Sequence, residues 1–523
     1  MTTHKTEQET NSVSQNKKVF DTIIIGTGFS GICMAIKLRQ AGISSIKILE
    51  QRDAIGGTWR DNTYPGAECD VQSHLYSYSF EPNPNWKKMF GEQSEILAYM
   101  NFCVDKYDLR PIIEFNTSVK GIYFQEANGI WEVHTESGKT FLAHTVVSGN
   151  GGLSRPSLPD IKGLDSFKGK IFHSAKWDHS YDLNGKEVAV IGTGASAIQI
   201  VPAIAAIVKK LSLFQRTPPW IISKSDREIS DQERLIYSIL PITQQLYREY
   251  IYWILEIRIL GLVLNPDLMK AFEQAAREYL KKSIKDPTLR EKLTPNYLFG
   301  CKRVLLSNNY YPALERKNVE LITSGIEEVR EKSILTKDGK EIFVDTIIAA
   351  TGFHGAKTGA PFEIIGLKNQ SLNETWKLNG AKAYLGTTVS GFPNLFLMTG
   401  PNSGLAHSSM IYMIESQAQY ITQCIKSIKE NNLKYLDVKQ EVLDIYNSEL
   451  QKRLKKSVWA DSCNSWYVDK SGRNTSLWPG FTLEFKTKTF VFNPTEYNLV
   501  LQNNTKLEAN AFDVIKNLAS ALF

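Results

Sequence analysis

The sequence predicts an α/β fold built on parallel sheets, and two observations support that prediction. An apolar run, a glycine-rich turn and a helical pattern follow one another twice, first at 19–40 and again at 187–209. Each copy is followed by another short apolar strand pattern, so strand, helix and strand alternate. Units of this kind place a dinucleotide at the helix N-terminus. We therefore expect two Rossmann-like dinucleotide-binding domains of the three-layer ββα type.

The first unit carries its glycines where a diphosphate would bind. A strand at 19–25 leads into Gly26, Gly28 and Gly31. The first glycine permits a tight turn, the second lets the backbone approach a diphosphate, and the third lets helix and strand pack closely. A second strand ends at Glu50, whose carboxylate can accept hydrogen bonds from a ribose. This unit is expected to bind FAD or NAD.

The second unit differs from the first in the charge that ends its second strand. Its turn contains Gly192 and Gly194, with Ala197 in place of a third glycine. The residue that corresponds to the acid of the first unit is Arg216, followed by Thr217 as a further donor. A guanidinium can bind a ribose 2′-phosphate through two hydrogen bonds, whereas a carboxylate would repel it. The second unit should therefore bind NADPH. The alternative for the arginine is a solvated charge at a strand end.

Composition narrows the class of protein. The chain has 523 residues, enough for two or three domains. Its 61 basic and 55 acidic residues give a net charge of only +6, so we do not expect nucleic-acid binding. The six cysteines form no CxxC pair and no short-spaced cluster with histidine, so neither a metal site nor a disulfide framework is expected. A cytoplasmic location fits this cysteine usage.

The rest of the chain divides into a tail, an insertion and a returning segment. Residues 1–18 are polar and lack the apolar core of a secretory signal. Residues 226–296 carry amphipathic helical patterns and interrupt the second unit. Their apolar run at 250–264 is too short and too charged to span a bilayer, and we interpret it as a packed helix, with peripheral membrane contact as the less favoured alternative. The expected boundaries are a flexible tail at 1–18, an FAD-binding domain at 19–152 and 356–523, an NADP-binding domain at 153–225 and 297–355, and a helical insertion at 226–296.

Five residues between the two units follow a defined pattern. They match FxGxxxHxxxW[P/D] at every defined position and are Phe167, Gly169, His173, Trp177 and Asp178. The pattern resembles the fingerprint of type I Baeyer–Villiger monooxygenases. The related N- and S-oxidising flavin monooxygenases usually carry Tyr or Phe in place of the tryptophan. Because the pattern lies in a connector, we interpret it as a hinge and give the histidine a conformational role rather than a role in proton transfer.

The resemblance extends from about residue 20 to the last fifty residues and implies an activity. The segments 57–66 and 73–78 are most similar to the 4-hydroxyacetophenone monooxygenase subgroup. In the family that the chain resembles, NADPH reduces FAD, and the reduced flavin reacts with oxygen to give a C4a-peroxyflavin that attacks a ketone. The implied product is an ester or lactone with one oxygen atom inserted beside the carbonyl. Sulfoxidation is the implied side activity.

The resemblance also assigns roles to residues outside the glycine turns. Arg303 aligns with the active-site arginine that lies over the flavin, and Asp70 with the acid that hydrogen-bonds it. Lys302 is expected to help bind the NADP phosphate, and Trp466 is either part of a mobile segment over the nicotinamide or a buried core residue. Further residues expected near FAD are Thr58, Trp59, Tyr76, Val119 and Met410. Those expected around the NADP diphosphate are Thr193, Gly194, Ala195, Ser196, Ala197 and Gln199.

Three other functions stay open at the level of the sequence. An N- or S-oxidising flavin monooxygenase would share the fold, but the fingerprint tryptophan and Arg303 favour ketone oxidation. A disulfide reductase would need two cysteines with close spacing beside the flavin, and Cys33 and Cys69 do not have it. A non-catalytic NADPH-binding module is the least favoured. The expected partners are a ketone, which the apolar run at 250–264 suggests is hydrophobic, and O2. The sequence does not identify the ketone or the oligomeric state.

Overall fold

A computed structural model describes residues 18–354, 361–460, 463, 465–469, 471–510, 513, 514 and 517. The tail expected at 1–18 therefore lies outside the described residues except for Lys18. In chain order the strands are β1 (Val19–Ile25), β2 (Ile46–Leu49), β3 (Ile113–Glu114), β4 (Val119–Gln125), β5 (Ile130–Thr135), β6 (Thr140–Ser148), β7 (Lys170–His173), β8 (Glu187–Ile191), β9 (Lys210–Phe214), β10 (Ile221–Ile222), β11 (Leu305–Leu306), β12 (Val319–Ile322), β13 (Ile326–Val329), β14 (Ser333–Thr336), β15 (Glu341–Phe343), β16 (Thr346–Ala349), β17 (Glu363–Ile365), β18 (Leu395–Leu397), β19 (Leu433–Val438), β20 (Tyr497–Leu501) and β21 (Lys506–Leu507).

The helices pack against both faces of these strands. In chain order they are α1 (Phe29–Gln40), α2 (Thr58–Asp61), α3 (Gln93–Lys106), α4 (Ala197–Ile204), α5 (Asp231–Ile239), α6 (Pro241–Glu256), α7 (Met269–Ser283), α8 (Pro287–Leu293), α9 (Tyr310–Leu314), α10 (Leu372–Asn379), α11 (Met410–Glu430), α12 (Gln440–Leu454) and α13 (Thr482–Thr489). A π-helical turn at Leu260–Leu264 links α6 to α7.

The first sheet contains β1 at its centre. Its order is β17-β4-β5-β6-β1-β2-β3, with β18 pairing alongside β6. β1 runs parallel to both β2 and β6, and Ile23, Ile24 and Ile25 are buried between the layers. Such continuous apolar runs are typical of strands covered on both faces. β4, β5 and β6 pair antiparallel and extend the same sheet beyond β1.

The second sheet repeats the parallel arrangement around β8. Its order is β12-β9-β8-β16-β7, and all four pairings are parallel. A separate antiparallel sheet of β13, β14 and β15 lies between β12 and β16 in the chain. The fold is therefore α/β with two Rossmann-like sheets, as the sequence predicts. α4 ends at Ile204, earlier than the expected Lys209, because the backbone N–H of Lys209 already bonds to Lys186 next to β8.

The apolar run at 250–264, which we expected to be a packed helix, packs along one side and is exposed along the other. α6 ends at Glu256, and its side chains alternate between buried and exposed faces. Tyr250 and Trp253 are more than half exposed, whereas Ile251 and Tyr252 are buried. Among the residues that the structure describes, no helix is long and apolar enough to cross a membrane. The expectation of a packed helix is therefore confirmed for the inward side of α6, whereas its outward side remains exposed.

Candidate active site

The first glycine turn follows β1 and leaves its backbone open at the start of α1. Gly26 has φ +99°, and a Cβ added there would lie 2.9 Å from the carbonyl oxygen of Gly149. A Cβ at Gly31 would collide with the carbonyl oxygen of Gly26. Gly28 precedes the helix without a side-chain cap, and Gly57 faces it so closely that a Cβ there would lie 3.0 Å from the Cα of Gly28. The uncapped N–H groups at the start of α1, and the surrounding glycine backbone without side chains, fit a diphosphate.

Glu50 is held rigidly beside this turn at the end of β2. Its side chain is buried and accepts hydrogen bonds from the backbone N–H of Thr27 at 3.0 Å and of Arg52 at 2.9 Å. Arg60 forms an ion pair with it at 3.2 Å. Sequence reasoning did not identify Thr27 or Arg60. The arginine lies within the segment 57–66 that carried the resemblance, but nothing in the spacing linked it to the carboxylate.

Aromatic side chains cover the region between α1 and α2. The Trp59 indole donates a hydrogen bond to the Tyr76 hydroxyl at 3.0 Å, and Tyr76 contacts the ring of Phe29 at 5.4 Å between centroids. Thr58 begins α2 directly after Gly57. Burial raises the pKa of Tyr76. The structure thus brings Thr58, Trp59 and Tyr76 to the first glycine turn.

The two remaining residues expected near FAD lie at opposite ends of this region. Val119 begins β4, two residues after Thr117, whose backbone N–H bonds to the carbonyl of Glu50. Met410 is the first residue of α11, a helix that packs against α1. Val119 thus lies two residues from the contact with the Glu50 backbone, and Met410 lies on the helix that packs against α1.

The second glycine turn has the same construction after β8. Gly192 has φ +114°, and a Cβ there would collide with the carbonyl oxygen of Ala350. A Cβ at Gly194 would meet only open space, so the turn leaves room for a ligand. The Thr193 hydroxyl donates to the carbonyl of Thr217 at 3.0 Å. The predicted residues after the turn lead into the helix, with Ala195 and Ser196 preceding α4 and Ala197 buried at its first position.

Two cations lie at the end of β9 without an acidic partner. Arg216 is exposed, and among the described residues neither it nor Lys302 forms an ion pair. Burial and the charge of Arg216 lower the pKa of Lys302. The Lys302 ammonium also lies 4.7 Å from the centre of the Tyr297 ring. A pair of like charges held together without a carboxylate suits a phosphate, which would neutralise both.

Arg303 and Asp70 come together from positions far apart in the chain. The arginine Nε and Nη2 both donate to Asp70 Oδ2, at 2.8 and 2.5 Å. A weaker bond of 3.4 Å joins Nη1 to the carbonyl of Leu405. The charge of Asp70 raises the pKa of the guanidinium. The site thus contains a permanent cation with a fixed orientation, as the sequence predicts for these two residues.

Direct hydrogen bonds join the segment after α2 to the second glycine turn. The Tyr64 hydroxyl donates to Gln199 Oε1 at 2.9 Å, and Gln199 Nε2 donates to the carbonyl of Glu68 at 2.9 Å. The Glu68 carboxylate forms an ion pair of 2.6 Å with the buried ammonium of Lys224. Gln199 is therefore in the predicted region but bonds to the other half of the molecule. Nothing in the sequence indicated this contact between Tyr64 and Gln199.

A disulfide ties the arginine segment to the C-terminal part of the chain. Cys301, two residues before Arg303, bonds to Cys463. The expectation of no disulfide framework is therefore wrong for this one pair, because a separation of 162 residues leaves no signal in local spacing. The segment after the bridge exposes Trp466 by 54% and buries Tyr467. The alternative of a buried core residue is thus wrong for Trp466.

Tyr467 faces the arginine and aspartate from this segment. Its hydroxyl is buried and has no hydrogen-bond partner among the described residues. Burial raises the pKa of its phenol to about 12, the positive charge of Arg303 opposes that shift, and the negative charge of Asp70 adds to it. A buried hydroxyl without a hydrogen-bond partner normally costs stability. The Tyr467 hydroxyl therefore marks a polar position beside Arg303 and Asp70.

The fingerprint residues form part of the second sheet. The strand β7 lies within the pattern and pairs with β16. His173 is buried; its Nδ1 accepts from the backbone N–H of Ala175 at 3.1 Å, so its Nε2–H donates to the carbonyl of Gly352 at 2.9 Å. Burial lowers its pKa. The expectation of a connector is therefore corrected, because a strand of four residues is too short to stand out in the sequence.

The other fingerprint residues also have structural partners. Phe167 packs in the core behind β8, and a Cβ at Gly169 would collide with the carbonyl oxygen of Asp345. Trp177 packs edge-on against Phe172 with 4.9 Å between ring centroids. Asp178 pairs with Lys170 at 2.6 Å, and the hydrogen bond from that lysine lowers its pKa to about 2. These contacts fix the second sheet rather than the arginine site.

Comparison with known proteins gives the family. Residues 23–252 match the model of the pyridine nucleotide-disulphide oxidoreductase family. The chain is 49% identical over 478 residues to a Baeyer-Villiger monooxygenase of Pseudomonas aeruginosa, covering 91% of this chain and 90% of that protein. It is 45% identical over 490 residues to a Baeyer-Villiger monooxygenase of Streptomyces coelicolor, covering 93% and 94%.

Solved structures agree with these relatives. An oxidized steroid monooxygenase bound to NADP superposes with a TM-score of 0.83 at 29% identity, covering 93% of this chain and all of that one. The cyclohexanone monooxygenase from Rhodococcus sp. Phi1 bound to NADP+ gives 0.82 at 26% identity, covering 92% and 99%. The match in sequence therefore extends across both sheets and the helices between them, and the chain belongs to the Baeyer–Villiger monooxygenases.

Proposed function

We propose that this enzyme uses FAD, NADPH and O2 to insert one oxygen atom beside a ketone carbonyl, giving an ester or lactone. The observation that carries the proposal is the pair of Arg303 and Asp70, a permanent cation held in one orientation beside the segment that joins the two nucleotide units. Oxygen insertion develops negative charge on oxygen, and a preorganised cation stabilises such charge. The hydrogen bonds from Arg303 to Asp70 fix its orientation without a change in protonation.

FAD would occupy the first unit. The backbone of the turn at Gly26, Gly28 and Gly31 would bind its diphosphate, and Glu50 would accept hydrogen bonds from its ribose. The aromatic cluster beside the turn would flank the flavin. When bound and reduced, FAD supplies the chemistry that transfers oxygen. The further residues proposed to line its site are Thr58, Trp59, Asp70, Tyr76, Val119, Arg303 and Met410.

NADPH would occupy the second unit. The open space at Gly194 would receive its diphosphate, while Arg216, Thr217 and Lys302 would bind the 2′-phosphate. The remaining residues proposed for this site are Gly192, Thr193, Ala195, Ser196, Ala197 and Gln199. Since only NADPH has the 2′-phosphate, this arrangement favours it over NADH.

We further propose the division of the chain into domains. The FAD-binding domain would comprise 19–152 and 356–523, the NADP-binding domain 153–225 and 297–355, and the helical insertion 226–296. The fingerprint from Phe167 to Asp178 would set the relative orientation of the two domains, with His173 acting through its backbone hydrogen bonds. A cytoplasmic location, where NADPH is regenerated, suits such an enzyme. The substrate would be an apolar ketone.

The test is product analysis with purified enzyme, FAD, NADPH and panels of ketones and sulfides. We expect esters from at least one ketone class, with sulfoxides as side products. Sulfoxides or amine oxides alone, with no ester from any ketone, would favour an N- or S-oxidising monooxygenase instead. NADPH oxidation that no substrate stimulates would favour a non-catalytic binding module.

The variant Arg303→Ala tests the cation directly. Loss of a preorganised charge at the reacting oxygen should lower ester formation by about 100-fold to 1,000-fold, while reduction of FAD by NADPH continues. The control is Arg330→Ala, which removes an arginine paired with Glu328 and Glu341 on the second half of the molecule. Full ester yield from Arg303→Ala would remove this residue from the mechanism.

A further inference from the structure

The exposed side of α6 carries a stripe of apolar side chains, with the exposed Gln245 and Glu249 along one edge of it. The side chains of this stripe are spaced by three or four residues, which places them on one side of a helix. They are Ile242, Leu246, Tyr250, Trp253 and Ile257, each at least half exposed. Single exposed apolar residues are ordinary, but a continuous stripe marks an interaction surface.

The elements on either side extend this apolar face. α5 ends immediately before α6, and the π-helical turn and α7 follow α6 in the chain. These elements, together with α6 itself, contribute further exposed apolar residues. They are Leu235, Ile236, Ile239, Leu240, Ile254, Leu264, Leu268 and Phe272, all between 43% and 73% exposed. We call these thirteen residues the apolar face. Large exposed apolar patches are uncommon on monomeric proteins and mark interaction sites.

Polar contacts on the inner side of α6 prevent it from turning this face inward. Gln244 donates to His74 Nδ1 at 3.0 Å and to the carbonyl of Asn83 at 2.6 Å. Arg248 donates to the carbonyl of His74 at 2.6 Å. At the end of the helix, Glu256 is fully buried and accepts from the Thr482 hydroxyl at 2.9 Å. The helix thus buries the polar Gln244 and Glu256 beside apolar residues such as Leu255, while an apolar stripe stays exposed, which a normal surface helix would turn inward.

We propose that the apolar face docks this enzyme on the surface of a lipid bilayer. Exposed Gln245 and Glu249 lie along the edge of this face, but within the face itself hydrogen-bonding groups are few, and directional recognition of another protein needs such groups whereas a bilayer does not. Its polar atoms are those of Tyr250 and Trp253, the two residue types that concentrate at the boundary between water and lipid. The segment 231–283 contains equal numbers of acidic and basic residues, so the partner is an uncharged, zwitterionic surface rather than an anionic one.

The apolar face is continuous with the candidate active site. The π-helical turn after α6 contains Leu262 and Val263, which pack in one core with Phe299. The backbone carbonyl of Leu262 accepts from Val458, and a Cβ at Gly300 would lie 2.8 Å from the Leu262 side chain. The docking segment therefore rests directly on the stretch that leads to Arg303. The source of the substrate rests on the proposed function. We infer that an apolar ketone concentrates in the bilayer and that the bilayer supplies it to the enzyme.

The test is flotation of the FAD-loaded full chain with vesicles of dioleoylphosphatidylcholine. We expect the protein to float with the vesicles, equally at low and at high salt, because apolar burial is insensitive to ionic screening. Addition of an anionic phosphatidylglycerol should not increase binding. Binding only to anionic vesicles, and only at low salt, would overturn the assignment to this uncharged face.

Matched variants locate the contact. Leu246→Asp combined with Trp253→Asp should lower the fraction bound by at least about 10-fold, since each exposes a charge where an apolar side chain was buried in lipid. Leu378→Asp, on α10 at a side chain that is 80% exposed, should bind like the original protein. Retained flavin absorbance and unchanged oxidation of a water-soluble ketone would show that the double variant is folded. Ile239→Asp on α5 gives the same test if the double variant is unstable.

Two results would overturn the proposal. One is the absence of flotation with either vesicle type. The other is a stable dimer in sedimentation experiments that the double variant dissociates, because the apolar face would then be covered by a second copy of the chain. Flotation does not depend on turnover, so a protein that floats but oxidises no ketone would contradict the proposed function and not the docking surface.

Discussion

At the scale of single residues, charge separates the two nucleotide units. Glu50 is enclosed by hydrogen bonds and by Arg60, whereas Arg216 and Lys302 lie together without a carboxylate. A dianionic phosphate would relieve the repulsion between those two cations, and a ribose hydroxyl would not. Selectivity for NADPH is therefore expected to depend on the exposed arginine.

Arg216→Ala should discriminate between the two nicotinamide coenzymes. Loss of charge-assisted hydrogen bonds worth about 1.5–3 kcal/mol should raise KM for NADPH roughly 10-fold to 100-fold. KM for NADH should change less than about 2-fold, because NADH lacks the 2′-phosphate. Steady-state kinetics with both coenzymes measures this difference, and Arg330→Ala serves as the control. An equal loss for both coenzymes would argue against phosphate recognition by this arginine.

Sequence reasoning identified some residues of the site and missed others for a physical reason. Glu50 and Arg216 could be predicted because each comes just after the second strand of a unit, and such positions follow from a repeated local pattern. Thr27, Arg60 and Tyr467 were missed because their partners are fixed by tertiary packing. The pairing of Arg303 with Asp70 was predicted only through the family resemblance, since 233 residues separate them.

At the scale of elements, the disulfide controls where the C-terminal segment lies. Cys301 belongs to the stretch that supplies Lys302 and Arg303, while Cys463 precedes Trp466 and Tyr467. The bridge therefore holds Tyr467 near the cation. In a reducing compartment the pair could exist as two thiols, and the position of Tyr467 would then depend on packing alone.

Cys463→Ser should reveal what the bridge contributes. We expect the free energy of unfolding to fall by about 2–4 kcal/mol under oxidising conditions, because the unfolded chain is no longer cross-linked. Chemical unfolding measures the change, and non-reducing peptide mapping of the original protein should find the two cysteines linked. Cys301→Ser should give a similar loss, and the double variant should be no less stable than either single one. Additive losses would contradict the bridge.

The short strand β7 illustrates what sequence patterns cannot resolve at this scale. The fingerprint was recognised, but it was interpreted as a connector because only four residues take strand geometry. Its pairing with β16 brings together residues about 175 positions apart, and local periodicity contains no information about such a partner. The longer units around β1 and β8 were predicted well because their apolar runs, turns and helices are contiguous.

At the scale of the whole molecule, one buried acid links stability to pH. Asp437 in β19 is 7% exposed and accepts hydrogen bonds from the backbone N–H of Gly391 at 3.0 and 3.1 Å. Burial raises its pKa to about 7. The folded protein therefore holds a proton that the unfolded chain, with an ordinary aspartate pKa near 3.9, has already released. Its contribution to stability is present at low pH and is lost as the pH rises towards 7.

Asp437→Asn should remove this dependence, because the amide oxygen can still accept from Gly391 and carries no charge. Relative to the variant, the original protein should lose roughly 3 kcal/mol of unfolding free energy between pH 5 and pH 8. Chemical unfolding of both proteins at several pH values isolates the contribution of Asp437, because every other titrating group is the same in the two proteins. A constant difference across this range would show that Asp437 does not titrate there.

The overall architecture was largely predictable, while the surface of the insertion was not. Two strand-turn-helix units fix two sheets, and helical periodicity indicated the helices at 231–293. Periodicity shows that a helix has an apolar side, but not which side faces inward. On α6 the hydrogen bonds of Gln244 and Arg248 fix which side faces inward.

The hydrogen bonds of Gln199 have a consequence for how the halves of the molecule move. This one side chain bonds to both Tyr64 and Glu68 from the helix that begins at the second glycine turn. Any rotation of one sheet relative to the other must break both bonds together before new ones can form. Relative motion should therefore proceed as a jump between separate arrangements and not as a continuous drift. Coenzyme bound at that turn would therefore contact the same helix whose Gln199 holds the two halves in their present arrangement.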